Sequence, residues 1–179
     1  MIILDKVALF QTPDVIVKYP LLAVSAVVIS LTGLYPAHSE TREQWIELGA
    51  RIHGAFGAFI PVGIRIGLDA REQLKADARG LSVAFYNGEK PPCPSVADGV
   101  MIATQASPGQ GTLQISPEKA PPGIMSVVVI RNRKTGEGLK YTISDEWLPK
   151  ILGWNKSEPP DRFDAAMAAE GLFKSEPAP

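Results

Sequence analysis

The strongest local pattern in the chain is a β-hairpin signal between residues 124 and 144. The sequence there is IMSVVVIRNRKTGEGLKYTIS, in which an apolar run is followed by a polar, glycine-containing segment at residues 134–138. Leu139, Tyr141 and Ile143 then alternate with more polar residues. A continuous apolar run is typical of a buried strand, whereas alternation is typical of a strand with one exposed face. We therefore predict two antiparallel strands, the first central in its sheet and the second nearer an edge.

Other helix and strand signals surround this hairpin without a regular βαβ alternation. Residues 41–44, Thr-Arg-Glu-Gln, form a capping-box pattern that predicts the start of a helix. A second helix is predicted over about residues 58–78, and a third, shorter one from Ser95 or Asp98. Apolar residues alternate over residues 81–85 and predict a strand that ends at Asn87-Gly88. Together these elements predict an α+β fold in which helices pack on a mostly antiparallel sheet.

Composition narrows the function classes. The chain has 179 residues and a formal net charge of −1, and its basic residues do not cluster. This balance argues against nucleic acid as a partner. Cys93 is the only cysteine, so an intrachain disulfide and a cysteine-rich zinc finger are both excluded.

The first 39 residues are the main organisational question. Residues 21–34, LLAVSAVVISLTGL, carry no charge and are shorter than the roughly 20 residues of a transmembrane helix. They match the apolar part of a signal peptide, with Ala37-His38-Ser39 as a small-x-small cleavage site. Asp5 and Asp14 do not fit the short basic start of such a signal, unless translation begins near Val17. We expect an exported, periplasmic protein; the alternatives are a buried element of a cytoplasmic protein and an uncleaved anchor.

Residues 40–155 are predicted to form a single α+β core domain. Beyond them, residues 156–179 are predicted to form a tail with a weak helical patch at residues 163–172. The chain ends in SEPAP, and such an ending is expected to be mobile.

His53 is the first candidate functional residue. It follows a predicted helix and precedes a glycine, so its ring can project from a helix end into a cleft. A histidine there can bind a metal, transfer a proton or hydrogen-bond to a backbone carbonyl. The residues alone favour the last, structural role.

Arg65 and Cys93 are the other chemistry-bearing residues, and each allows two interpretations. Arg65 lies on a helix face rich in glycine and isoleucine, and if buried it needs an anionic partner. Asp98 is the internal candidate, so Arg65 forms either a structural ion pair or an anion-binding site. Cys93 stands in a proline-rich loop, where it could be a metal ligand or a nucleophile with His53 as its base. An ordinary loop thiol is the favoured interpretation.

Two segments of the chain, IHGAFGAFIPVGIRIG at residues 52–67 and PPCPSVADGVMIATQASPGQGTL at residues 91–113, form an ordered pair of motifs. Together they resemble the motifs of the FmdE family, which takes its name from formylmethanofuran dehydrogenase. The segment IHGAFGAFIPVGIRIG resembles the family's opening motif, which reads H-G-H, then an apolar stretch with Gly or Cys-Pro, then G-x-R. The segment PPCPSVADGVMIATQASPGQGTL resembles its second block, with a cysteine before Asp-Gly or Asp-Ala, then T-G-C-T and G-K-G-N. The resemblance spans roughly residues 41–150. It implies an α+β core that pairs into homodimers and a metal site, commonly zinc, built from histidines and cysteines of both motifs.

The departures from the family pattern fall on the metal ligands. Ala55 replaces the second histidine, and Gly57 stands where some members carry cysteine. Ser95 occupies the cysteine position of the second block with Cys93 displaced by two residues, and Ala106 replaces the cysteine of T-G-C-T. Positions that match the pattern are Gly63, Arg65, Asp98, Gly99, Thr104, Gly109 and Gly111. The backbone-shaping residues are therefore present, while most soft ligands are replaced.

These observations lead to three functional hypotheses. The first is a non-catalytic accessory or ligand-binding protein of a redox or one-carbon pathway, with a small anionic ligand in a pocket formed by His53, Arg65, Asp98, Thr104 and Gly109. The second is a zinc or other transition-metal protein, a carrier or a metal-assisted enzyme, that uses His53 and Cys93. The third is a component of a redox complex whose glycine-lined helix faces a partner. The sequence identifies no reaction and favours a binding protein over an enzyme.

Overall fold

A single mixed sheet organises the part of the chain that the structure describes. This computed structural model describes residues 40–179, so the predicted export segment lies outside the described residues. Within them, five strands follow the order β2-β1-β3-β4-β5. Their bounds are β1 Leu81–Asn87, β2 Leu113–Ile115, β3 Ile124–Asn132, β4 Gly138–Ser144 and β5 Lys174–Pro177. Only the β1–β2 pair is parallel among these strands, which confirms the predicted α+β fold with a mostly antiparallel sheet.

The predicted hairpin is strands β3 and β4. Val128 lies opposite Tyr141, and β3 is central, as its continuous apolar run predicts. Asn132 builds the turn: its side-chain oxygen accepts hydrogen bonds from the backbone N–H groups of Lys134 at 2.9 Å and Thr135 at 3.3 Å. Such side-chain bonds satisfy backbone N–H groups that have no backbone partner in a turn. The hairpin is therefore specified locally, by residues of its own segment.

The C-terminal segment differs from the mobile tail that the sequence indicates. Strand β5 pairs with β4 at the sheet edge, and helix α5, Pro159–Ala168, buries Phe163 and Ala166. All four residues of β5 are exposed, so its sequence shows no alternation of apolar and polar residues from which a strand could be predicted. Backbone pairing holds it in place, together with an ion pair of 2.8 Å between Lys140 and Glu176. Residues 156–179 thus belong to the same compact unit as the predicted core.

Four further helices complete the unit. Their bounds are α1 Arg42–His53, α2 Phe59–Gln73, α3 Ser95–Thr104 and α4 Leu148–Trp154. The predicted capping box is present, because Thr41 Oγ1 accepts from the Gln44 N–H while Gln44 Oε1 accepts from the Thr41 N–H. Helix α2 is shorter than predicted, since the chain turns at Lys75, where φ is 47°. None of the helices within residues 40–179 has the length and apolar character needed to cross a bilayer.

The buried residues form two layers. One lies between the sheet and α2 and α3, where Val62, Ile66 and Val100 pack against Phe85 and Ile130. The other lies on the far side of α2, where Trp45, Phe56, Ile60, Ile64 and Phe163 meet. Helices α2 and α3 are therefore covered on both sides, by the sheet and by α1 and α5.

A pair of glycines sets the distance between α2 and α3. A Cβ atom on Gly63 would lie 2.0 Å from the backbone oxygen of Val96, and one on Gly99 would lie 2.0 Å from that of Ile60. Only glycine allows two helix backbones to come this close. The glycine-lined face of α2 thus packs against α3 of the same chain, which removes the argument that it faces a partner. The contact also fixes the start of α3, where Ser95 and Asp98 lie.

Candidate functional site

The end of α1 and the start of α3 bring the two sequence motifs together at His53. Helix α1 ends there because Gly54 adopts a left-handed conformation, with φ of 89°, and donates its N–H to the carbonyl of Ala50. Asp98 lies in the first turn of α3, and its Oδ2 is 2.7 Å from His53 Nδ1. The two side chains are 30% and 31% exposed. The pair is therefore partly exposed to solvent.

The other edge of the imidazole faces a hydroxyl and a thiol. His53 Nε2 lies 3.4 Å from Ser95 Oγ, and Ser95 Oγ lies 2.7 Å from Cys93 Sγ. Ser95 is only 3% exposed, whereas Cys93 is half-buried. We refer to Cys93, Ser95, His53 and Asp98 as the His53 cluster.

The cluster is a continuous chain of hydrogen-bonding groups. An ionised Asp98 accepts from the Nδ1–H of His53, which leaves Nε2 of a neutral ring as an acceptor for the Ser95 hydroxyl. The Ser95 oxygen can then accept from the Cys93 thiol. When a proton moves from sulfur to Nε2, the two bonds through Ser95 reverse their donors without any change of partner, while His53 Nδ1–H continues to donate to Asp98. The arrangement can therefore transfer a proton between Cys93 and His53.

Arg65 is not part of this site, which corrects the predicted pairing with Asp98. Its Nη1 donates to the carbonyls of Ala166 at 2.7 Å and Ala169 at 2.6 Å, at the C-terminal end of α5. Its guanidinium also lies 5.4 Å from the ring centroid of Phe173. The last carbonyls of a helix have no partner within the helix and favour a cation. Arg65 satisfies that need, and the sequence missed it because it predicted only a weak helix there.

The structure also places the other two predicted ligand-binding residues in local structural roles. Thr104 is fully buried at the end of α3, where its hydroxyl donates to the Val100 carbonyl at 2.7 Å and accepts from the Ala106 N–H at 3.2 Å. Gly109 is exposed in a short 3₁₀ turn. Neither shares a described hydrogen bond with the His53 cluster.

The donor set at this site does not fit a zinc ion. Zinc in proteins takes about four nitrogen, sulfur or oxygen ligands. Nowhere in residues 40–179 do three or more His, Cys, Asp or Glu side chains group as metal ligands. At the replaced positions, Ala55 is exposed and a Cβ on Gly57 would meet no atom within 4 Å. The space for ligands is there, but His53 Nε2 and Cys93 Sγ are the only soft donors of the cluster.

Ser95 is the residue whose role the sequence missed. The family pattern marks it only as a replacement for cysteine, and nothing in the sequence indicates that it would bridge Cys93 and His53. The spacing of Ser95 and Asp98 carries a weak signal, since residues three apart share one face of a helix. That signal becomes informative only when the α1 end is known to lie beside this face.

A separate groove lies on the other side of the sheet. It has a volume of about 800 Å³, with a floor that includes Tyr86 and Val129 and basic side chains from Arg131, Lys140 and Lys174. The guanidinium of Arg131 also hydrogen-bonds to the C-terminal residue Pro179. This surface shares no lining residue with the His53 cluster.

Comparison with known proteins agrees with the resemblance. A family model described as FmdE, Molybdenum formylmethanofuran dehydrogenase operon, matches residues 52–174. No curated protein matches the chain. The family match takes in all four residues of the His53 cluster and runs from the end of α1 to the first residue of β5. Since it covers more than half of the sequence, the chain belongs to the FmdE family.

Proposed function

We propose that this protein is an accessory protein of a formylmethanofuran dehydrogenase-type redox system that binds a small ligand at the His53 cluster, without catalytic turnover. The observation that carries the proposal is the position of His53, which is hydrogen-bonded to Asp98 at 2.7 Å and lies 3.4 Å from Ser95. The accessory role is supported by membership of a family described by that dehydrogenase operon.

The chemistry of the cluster favours a small anion or carbonyl compound as the ligand. The Asp98 carboxylate fixes the orientation of the ring, as second partners of functional histidines commonly do. Ser95 and Asp98 lie in the first turn of α3, where the helix dipole places partial positive charge. A protonated His53 would add a charge-assisted donor. The anionic ligand expected from the sequence is thus retained, but without Arg65 in its site.

Thermal unfolding with simple probes tests ligand binding. We expect formate, acetate or inorganic phosphate to stabilise the protein in proportion to the logarithm of probe concentration. A probe at about 100 times its dissociation constant adds about 2.7 kcal/mol, which for a chain of this size raises the melting temperature by roughly 5–11 °C.

Matched variants localise the effect. The shift should disappear in His53→Gln and Asp98→Asn and persist in Glu118→Gln, which changes an exposed carboxylate outside the cluster. The ligand site is refuted if no probe shifts the transition, or if the His53 variant responds as the wild type does.

The accessory role has its own test, because a binding site does not identify a partner. We expect tagged protein expressed in the native host to co-purify components of a molybdenum-dependent redox complex, identified by mass spectrometry. The tag alone is the control. Recovery of the tagged protein without such components, under conditions that keep the complex intact, contradicts the role.

Export and homodimerisation are further parts of the proposal. Export predicts that protein from the native host begins at Glu40, and an intact residue 1 contradicts it. A homodimer predicts twice the chain mass in sedimentation equilibrium, and a single chain mass at all concentrations contradicts it.

A further inference from the structure

We infer that Cys93 is a nucleophile that accepts the acyl group of a thioester or activated ester, with Ser95, His53 and Asp98 as its proton relay. This inference rests on the ligand site of the proposed function and adds a covalent step to it. The step is stoichiometric: one acyl group is transferred to one thiol.

The distances define the relay. Asp98 Oδ2 to His53 Nδ1 is 2.7 Å, His53 Nε2 to Ser95 Oγ is 3.4 Å, and Ser95 Oγ to Cys93 Sγ is 2.7 Å. On unrelated folds a carboxylate and an imidazole in this order activate a hydroxyl or thiol nucleophile; here the Ser95 hydroxyl stands between the imidazole and the Cys93 thiol. The 3.4 Å step is long for a hydrogen bond, and such contacts are commonly loose before a substrate binds. Three side chains from two helices therefore form one chain of contacts that ends at the thiol.

Exposure decides which atom attacks. Ser95 is 3% exposed and its hydroxyl lies between two other members of the cluster, so an acyl carbon has little access to it. Cys93 is half-buried and stands at the outer end of the chain of hydrogen bonds. A thiol is also the better nucleophile near neutral pH. Ser95 thus transfers the proton, and Cys93 forms the covalent bond.

The loop holds the thiol in position. Pro92 and Pro94 flank Cys93, and proline fixes φ near about −65° at both neighbours. Helix α3 begins at Ser95, so the cysteine is attached directly to a regular element. Less conformational entropy is lost on reaction at such a site than at a thiol in an unrestrained loop.

The step balances without an oxidant. The Cys93 sulfur forms a bond to the acyl carbon while its proton passes through Ser95 to His53 Nε2. The carbon's bond to the departing sulfur or oxygen breaks, and the leaving group takes the proton from His53. Since Cys93 is the only cysteine, an intrachain disulfide cannot be the alternative use of this thiol.

Acetylation by p-nitrophenyl acetate tests the inference on the intact protein. We expect a burst of about one equivalent of p-nitrophenolate and an acetyl group on Cys93 in the peptide map. Cys93→Ala should lose the burst, while Glu118→Gln should keep its rate. An acetyl group found on Ser95 or on surface lysines, with none on Cys93, overturns the assignment.

The relay predicts a graded loss of rate. General-base assistance contributes about 10²–10⁴-fold, so His53→Ala should slow the burst by about a hundredfold or more, and added imidazole should restore part of the rate. Ser95→Ala should be slow and Ser95→Thr, which keeps the hydroxyl, near wild type. Asp98→Asn serves as a second variant should His53→Ala fold poorly. Equal burst rates in the wild type, Ser95→Ala and Asp98→Asn overturn the relay.

The two proposals fail differently. If Cys93 is acetylated but formate, acetate and phosphate do not stabilise the protein, the non-covalent ligand site is refuted and the nucleophile is supported. If those probes stabilise the protein but Cys93 does not react, the proposed function is supported and the nucleophile is refuted.

Discussion

Gly63→Ala should destabilise the fold more than any other single-methyl insertion on α2, because it forces two helix backbones apart. The new Cβ would lie 2.0 Å from the Val96 oxygen, 2.8 Å from the Val100 nitrogen and 2.9 Å from the Gly99 Cα. Backbone atoms cannot rotate away as a side chain can. To bring the shortest contact to about 3.0–3.4 Å, α2 and α3 must separate by roughly 1.0–1.4 Å.

The magnitude follows from two opposing effects. Overpacking of a well-packed core costs about 1–3 kcal/mol, and a shift of this size loosens the contacts of α2 along the whole interface, so the upper end applies. The better helix propensity of alanine recovers about 1 kcal/mol. We expect a net loss of about 2 kcal/mol, which corresponds to a melting temperature lower by roughly 4–8 °C.

Thermal and urea unfolding measure this loss, and Gly153→Ala is the matched control. Gly153 is an exposed position of α4 at which a Cβ meets no atom within 4 Å, so the same substitution should stabilise the protein by about 0.5–1 kcal/mol. Gly99→Ala should resemble Gly63→Ala, and the double variant should cost less than the sum, since the helices separate only once. If Gly63→Ala is as stable as the control variant, the close approach of α2 and α3 does not exist.

Three further predictions test the C-terminal segment and the buried polar contacts. Arg65→Met should lower the free energy of unfolding in urea by about 2 kcal/mol, since two hydrogen bonds from a charged donor are lost. It should leave the Cys93 acetylation rate unchanged. Unchanged stability together with a slower acetylation would place Arg65 in the ligand site. Amides of β5 should exchange with deuterium more slowly than an unstructured tail, and exchange at the unprotected rate would contradict its pairing with β4. Burial, with a hydrogen bond to Asp69, raises the pKa of Tyr141 far above its usual 10.0. The folded state therefore holds a proton that the unfolded chain releases above about pH 10, so the free energy of unfolding should fall as pH rises past that value. The fall should be smaller in Tyr141→Phe. An equal dependence of the free energy of unfolding on pH in the two proteins would refute this linkage.

Local sequence signals predicted those parts of the fold whose partners are close along the chain. The β3–β4 turn, the capping box at Thr41 and the alternation in β1 each depend on residues within one segment, and all three are present. Strand β5 could not be predicted in this way, because its four exposed residues carry no alternation and its partner lies about 35 residues earlier. Pairing with a distant strand edge is a property of the assembled sheet.

The candidate site divides along the same line. The sequence by itself determined which groups are available: one histidine and one cysteine in two family-like motifs, with alanine, glycine and serine where the family's other ligands would stand. Only the tertiary structure decided which of them meet. Asp98 pairs with His53 rather than with Arg65, and Arg65 instead caps α5. The physical reason is the contact of Gly63 with Gly99, which fixes where α3 begins relative to α2. Side chains more than 40 residues apart are brought within hydrogen-bonding distance only when helices pack, and no local pattern in the sequence encodes that distance.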